Sequence, residues 1–268
     1  MLDLIFVIVF HWGVAGVAWA TFLAQGIACI LALAALKKRM KLVLTEAEAP
    51  LFSWDMLKRI SVVAIPSILQ QSFISVGNLF IQSLVNGFGS SVIAGYSAAV
   101  KLNTFTITSL TTLGNGLSSF TAQNIGAGKT ERVKSGFKAG LGMGLLVAAA
   151  FFAVYWFFPE EVMHIFMEET GGLAMKTGAE FLKIVSPFYL VIMGKLIADG
   201  VIRGAGCMKQ FMIATFTDLI LRVMLSYILA VPMGTTGIWM SWPIGWSIAA
   251  VISVGFYLQG SWKHSGLV

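Results

Sequence analysis

Charge is scarce in this chain. Asp, Glu, Lys and Arg make up 11% of its 268 residues, against about 25% in a soluble domain. With 57% hydrophobic residues, the composition excludes a soluble globular fold and implies an integral membrane protein. Cysteine is equally sparse. Cys29 and Cys207 sit in or beside apolar runs, which excludes a disulfide framework or a thiolate metal site. The histidines His11, His164 and His264 are scattered, so a histidine metal centre is not expected. Catalytic motifs are missing as well: there is no Gly-x-Ser-x-Gly, no His-Glu-x-x-His and no Asp-rich diphosphate motif. Gly128-Lys129-Thr130 imitates the end of a phosphate-binding loop. Gln123 stands where that loop needs its first glycine, and no strand precedes it. The reading is therefore a protein that is no enzyme and has no cofactor. The net charge of +6 is spread over turns and does not call for nucleic acid. The start of the chain lacks the form of a cleavable signal, because Asp3 and no Lys or Arg precedes its apolar run.

Long apolar runs are what the chain does have. Residues 4–12 are too short for a crossing, which takes about 20 residues, and read as the tail of a span. Full spans are expected over 13–36, 61–88, 92–124, 137–158, 177–202, 211–231 and 238–258, giving an all-α bundle of seven spans and one partial one. Trp54 to Ile60 reads as an amphipathic lead-in to the second of these. Gly136, Gly140 and Gly144 form a ladder that admits a close neighbour. Basic residues cluster at Lys37–Lys41, Lys58–Arg59, Lys129–Lys138, Arg203–Lys209 and Lys263, on alternate turns. The intervening turns carry almost none, and the one near residue 168 is acidic (Glu160, Glu161, Glu168, Glu169). The positive-inside rule then puts the basic turns and the C-terminus in the cytoplasm of a plasma-membrane protein.

Two of these spans carry polar lines. Gln71, Ser75, Asn78, Gln82 and Asn86 share one helical face, and so do Lys101, Thr104, Thr108, Thr112, Asn115 and Ser119. Lipid disfavours such lines. They are read as two walls of a substrate cavity, with ordinary interhelical hydrogen bonding as the alternative. Charges also fall inside spans. Lys195, Asp199 and Arg203 are four apart, as are Asp218 and Arg222. Counted from the turn near Gly206, Lys195 and Asp218 lie at similar depth. A Lys195–Asp218 contact with Arg222 one turn deeper is expected, serving either ion coupling or plain structure. Asp199 and Arg203 are expected near the interface, as structure only.

An internal repeat adds a constraint. Gly13-Val-Ala-Gly16 and Gly234-Thr-Thr-Gly237 both occupy outer turns, 221 residues apart. A parallel repeat of spans is typical of transporters. It divides the chain into the end of one lobe (1–36), a cytoplasmic linker (37–60), a six-helix lobe (61–260) and a tail (261–268).

An ordered set of segments resembles the multidrug and toxic compound extrusion (MATE) family. Leu2-Asp-Leu-Ile5 with Gly13-Val-Ala-Gly-Val-Ala-Trp-Ala-Thr21 resembles that family's fifth-to-sixth span junction. Pro66, Gly89, Ala94 and Gln123-Asn-Ile-Gly-Ala-Gly-Lys-Thr-Glu-Arg132 resemble its spans seven and eight. Arg203-Gly-Ala-Gly206 and Gly234-x-x-Gly237-Ile resemble the turns after span ten and before span twelve. The resemblance implies the second lobe of a twelve-helix, two-lobe antiporter that exports cationic or amphipathic compounds in exchange for Na+ or H+. The first lobe would be largely missing, and the chain inactive alone. Its partners would be small-molecule substrates, the lipid bilayer and that lobe, with no stable oligomer. The carboxylates that one branch uses for coupling fall at Ile74 and near Ile192 here, so Lys101, Lys195 and Asp218 are the substitutes, with Arg222 in the same charge network as Lys195 and Asp218. A lipid-linked oligosaccharide flippase of the same superfamily, or a non-transporting fragment, are the alternatives.

Overall fold

A computed structural model describes residue 2 and residues 5–40, 52–167 and 172–263. Residues 41–51 of the linker, with Lys41, Thr45, Glu46 and Glu48, lie outside the described residues, as do Glu168, Glu169 and His264. The described residues are helical throughout, with no strand among them. Apart from a π-helical turn at Ile5–Val9, the elements are α1 (Gly13–Met40), α2 (Trp54–Asn86), α3 (Ser90–Gly126), α4 (Thr130–Phe157) and the short α5 (Pro159–Met163). They continue with α6 (Leu173–Val185), α7 (Tyr189–Gly204), α8 (Met208–Met233) and α9 (Thr235–Gln259).

Six helices among the described residues are long and apolar enough to cross a membrane: α1, α2, α4, α6 continued into α7, α8 and α9. The remaining expected span coincides with α3, which has 37 residues but a polar line along its length. The expected lead-in at Trp54 is not a separate element, because α2 runs unbroken through Pro66. The α6–α7 span is interrupted instead, by a 3-10 turn at Ser186–Phe188. Pro187 within that turn has no N–H to continue the α-helical ladder.

The chain divides into two units, Met1–Trp54 and Asp55–Val268. The first holds α1 and a small aromatic cluster, in which Phe6 packs against Phe10 and Trp12 at centroid distances of 5.7 and 5.3 Å.

In the second unit α9 and the α6–α7 span are the central helices, 61% and 56% buried over their apolar windows. Packing them in a bilayer draws little on the hydrophobic effect, so close backbone approach and buried hydrogen bonds must contribute. Both are present. A Cβ built on Gly95 would fall 2.1 Å from the Ala174 carbonyl oxygen, and one on Gly204 2.3 Å from that of Ser118. Only glycine lets α3 lie this close to α6 and α7. The ladder on α4 acts similarly, with Gly140 against Ile197 and Gly144 against Met193. Around these crossings, Trp239 stacks on Tyr96 at 4.9 Å and meets Phe181 edge-on.

Two buried tyrosines tie the helices further. The Tyr155 hydroxyl donates to the Leu102 carbonyl (3.2 Å) and accepts from Thr106 Oγ1 (3.0 Å). The Tyr189 hydroxyl donates to Asn103 Oδ1 at 2.9 Å. Tyr189→Phe strands a buried amide oxygen, so it is expected to cost about 1–3 kcal/mol. A lowered thermal midpoint of the detergent-solubilised protein checks this.

Candidate functional site

The α3 polar line is exposed along its whole length: Lys101, Thr104, Thr108, Thr112, Asn115 and Ser119 all lie on the surface of the second unit. The opposite side of α3 carries the buried residues Gly95, Ala99, Asn103, Leu110, Gly114 and Thr121. The 3.6-residue period thus separates a packing face from a polar face by half a turn. On α2, Gln71, Ser75, Asn78 and Asn86 are exposed and Gln82 is half-buried. That helix packs through Gly77, whose Cβ position meets Leu219, and through Phe73 against Phe216.

Much of the polarity in the two lines is spent within each helix. Ser75 donates to the Gln71 carbonyl (3.1 Å), Gln82 to Asn86 Oδ1 (3.0 Å) and Thr112 to the Thr108 carbonyl (2.9 Å). Among the described residues no hydrogen bond joins one line to the other.

Two cations belong to the α3 wall. Lys101 Nζ stands 5.8 Å from the Phe166 ring centroid, within cation–π range. Arg203, at the end of α7, donates through Nη2 to Asn115 Oδ1 and lies over the Phe211 ring at 5.5 Å. Arg203 was expected only as interface structure. It is half-buried beside the wall and bonded to it. Neither line contains an Asp or Glu.

Behind this wall lie the buried charges, and their pairing differs from the expected one. Lys195 Nζ makes its ion pair with Asp199 Oδ2 at 2.6 Å, both side chains being under a tenth exposed. Asp199 Oδ1 accepts a second hydrogen bond from Ser253 Oγ, also at 2.6 Å. The expected Lys195–Asp218 contact does not form. Lys195 and Asp199 are one helical turn apart, a rise of about 6 Å, so the ammonium reaches its carboxylate without help from α8.

Asp218 turns toward α9. A Cβ on Gly245 would meet Asp218 Oδ1 at 2.8 Å. That oxygen is buried without a hydrogen-bond partner among the described residues, as are Thr215 Oγ1, Arg222 Nε and Trp242 Nε1 nearby in sequence and packing. Arg222 does not bond to Asp218 one turn away. Its guanidinium lies over Trp242 at 4.5 Å. Lys195, Asp199, Asp218 and Arg222, two basic and two acidic side chains, are all buried.

Sequence reasoning missed Ser253, Trp242 and Gly245, and it named Asp199 as structure without pairing it to Lys195. For Asp199 a signal existed: its i,i+4 spacing to Lys195 is the tightest pairing a helix offers. Nothing in the sequence marks Ser253, since its bond to Asp199 depends on how α9 is rotated against α7.

The fold and parts of the sequence are shared with known transporters. The chain is 26% identical over 260 residues to the probable multidrug resistance protein YpnP of Bacillus subtilis, covering 97% of this chain and 58% of that protein. It is 22% identical over 204 residues to YoeA of the same organism, also named a probable multidrug resistance protein, covering 75% and 43% respectively. Among solved structures, an outward-facing multidrug resistance MATE family transporter of the MOP superfamily superposes with a TM-score of 0.84 at 22% identity, over 96% of this chain and 58% of that one. A MOP superfamily transporter from Pyrococcus furiosus, described as having a binding pocket of reversed polarity, gives 0.82 at 22% identity over the same shares. The chain therefore spans a little over half the length of YpnP and of the two solved transporters. The MatE family model matches residues 66–228, which covers more than half of the chain and includes both polar lines and the buried charges. The chain belongs to the MatE family of multi-pass membrane transporters, which are not enzymes.

Proposed function

We propose that this chain supplies the second lobe, and the end of the first, of a multidrug efflux antiporter that exports cationic or amphipathic compounds in exchange for Na+ or H+. In this reading seven full spans and a partial one correspond to part of span five through span twelve. The basic turns and the C-terminus face the cytoplasm of the plasma membrane. The observation that carries it is the α3 polar line, exposed on the surface of a unit whose opposite face is packed. An exposed line of hydroxyls and amides on a membrane helix is stable only against water or another polar surface. Gln71, Ser75, Asn78 and Gln82 on α2 extend the wall. Asp218 is the coupling group, because its buried Oδ1 has no protein partner among the described residues and so can take a proton or a cation.

The test is a chimera in which this chain follows the part of YpnP that it does not match, expressed in drug-sensitive cells loaded with a fluorescent cationic dye. Export by the chimera, absent for this chain alone, is the expected result. Thr108→Trp and Asn78→Trp should each reduce export to the empty-vector level, and Asp218→Asn should abolish its dependence on the ion gradient. Full export by both tryptophan variants would overturn the cavity assignment. Gradient-dependent export by Asp218→Asn would overturn the coupling role.

A second reading draws on Lys101 and Arg203, the two cations on a wall without carboxylates. They suit a pyrophosphate-bearing lipid, as in a lipid-linked oligosaccharide flippase of the same superfamily. Lys101→Gln with Arg203→Gln should then lose transport, whereas export of a cationic dye should survive the same pair of changes.

A further inference from the structure

A second concavity adjoins the polar wall at Thr112, between the second half of α3 and the first half of α4. It is a groove of about 650 Å³, walled by Leu113, Leu117, Phe120 and Met143, with Arg132 and Ser135 at its basic end. We propose that this groove binds an anionic phospholipid, its headgroup at Arg132 and an acyl chain along the apolar walls.

The groove is open for a reason visible in the sequence. Gly116 and Gly140 line it, and a Cβ built on Gly116 would meet nothing within 4 Å. Larger residues here would fill the space. The lining runs about 12 Å along α3, from Phe120 to Thr112, and about 16 Å along α4, from Arg132 to Met143. That is the direction and scale of an acyl chain entering from one face of the membrane.

Its charge is one-sided. Lys129, Arg132 and Lys138 are exposed around the same turn. The acidic residue of that turn, Glu131, is taken by Lys134 at 2.6 Å. Among the described residues Arg132 has no acidic partner. A guanidinium presents planar paired donors that match a phosphate, and the Ser135 hydroxyl adds another donor. The positive-inside pattern assigns this turn to the cytoplasmic side, where anionic lipids collect and basic pockets between spans bind their headgroups.

The groove shares Thr112 with the proposed cavity wall, and the rest of its α3 lining turns away from the polar line. Gly116 follows Thr112 by four residues and lies about 40° round the helix from it, while Leu113, Leu117 and Phe120 lie further round. Its walls offer a hydrated substrate few polar atoms. The inference rests on the membrane location alone and stands whether or not the chain transports drugs.

The test uses the purified chain in phosphatidylcholine vesicles doped with photoactivatable phosphatidylglycerol or photoactivatable phosphatidylcholine, with crosslinks mapped by mass spectrometry. Phosphatidylglycerol should label residues 112–120 and 135–143 about fivefold more than phosphatidylcholine does. Arg132→Gln should remove that preference and leave labelling elsewhere unchanged. Gly116→Leu, which adds bulk where there is room, should reduce labelling by both lipids at these segments. Lys138→Gln carries the same change of charge outside the groove and should leave the preference intact. Equal labelling of the wild type by the two lipids would overturn the site, and so would labelling indifferent to both Arg132→Gln and Gly116→Leu. An equal loss with Lys138→Gln would show diffuse attraction to the surface and would overturn it too.

Discussion

Leucine at position 200 is expected to prevent the second unit from folding, and alanine there to destabilise it by at least about 1–3 kcal/mol. A Cβ on Gly200 falls 2.5 Å from the Gly114 carbonyl oxygen, with the Gly114 carbonyl carbon and Cα at 3.3 and 3.4 Å. The obstruction is backbone, so no rotamer change relieves it. Nor can a second mutation make room, since the opposing residue is already glycine. The only adjustment is to move α7 away from α3. That motion would also disturb Gly114 against Leu196, Gly204 against Ser118 and the Arg203–Asn115 bond. Gly→Ala in a helix usually gains up to about 1 kcal/mol of propensity, which the clash outweighs. Gly194 is the control. It lies on the same helix with nothing within 4 Å of its Cβ position, so Gly194→Ala should be neutral or slightly stabilising. Size-exclusion profiles and thermal midpoints of the three variants check this. A monodisperse Gly200→Leu protein with an unchanged midpoint would show that α3 and α7 do not cross at these glycines.

The glycines illustrate which parts of the molecule can be read along one dimension. Apolar run length marked the six helices long and apolar enough to cross a membrane, because a bilayer imposes a minimum length on every crossing. Spacing placed the two polar lines, because a helix repeats its faces regardless of what surrounds it. The ladder at Gly136, Gly140 and Gly144 was legible for the same reason. Gly95, Gly114 and Gly200 were not singled out. Gly95 and Gly114 have no glycine four residues away, and the Gly200–Gly204 pair was passed over; the crossing of two helices gives each its role. The Lys195 partner shows the matching error for charge. Counting residues from the turn near Gly206 sets Lys195 and Asp218 at equal depth, but depth says nothing about rotation. Asp218 is rotated toward Gly245 of α9, and Lys195 takes the carboxylate on its own helix. The α2 helix makes a related point. Its start at Trp54 rather than Ser61 shows that charged Lys58 and Arg59 extend a span past the apolar boundary without ending it.

Asp199→Ala is expected to cost about 3–5 kcal/mol, the usual effect of stranding one member of a buried ion pair. The Lys195 side chain is 6% exposed, and no other carboxylate lies within ion-pair distance of it among the described residues. The substitution also removes the acceptor of Ser253 Oγ, so a second buried group loses its partner. Lys195→Met should cost a similar amount, leaving the Asp199 carboxylate with Ser253 as its only donor. The double variant Lys195→Met with Asp199→Leu should recover most of the loss. Apolar replacement of a whole buried pair removes the desolvation penalty together with the attraction, and it is often neutral or better. The measurement is a double-mutant cycle on thermal or denaturant unfolding, and the coupling between the two positions should exceed about 1 kcal/mol. Single variants within about 0.5 kcal/mol of wild type would mean that the pair is not a buried, mutually dependent one. The same double variant also separates the two uses of the charge group. As structure alone, the pair can be replaced by apolar side chains, and export by the YpnP chimera should return with stability. As part of the coupling machinery that includes Asp218 and Arg222, the pair keeps the local field balanced. Its removal should then give a stable, folded protein whose export no longer follows the ion gradient.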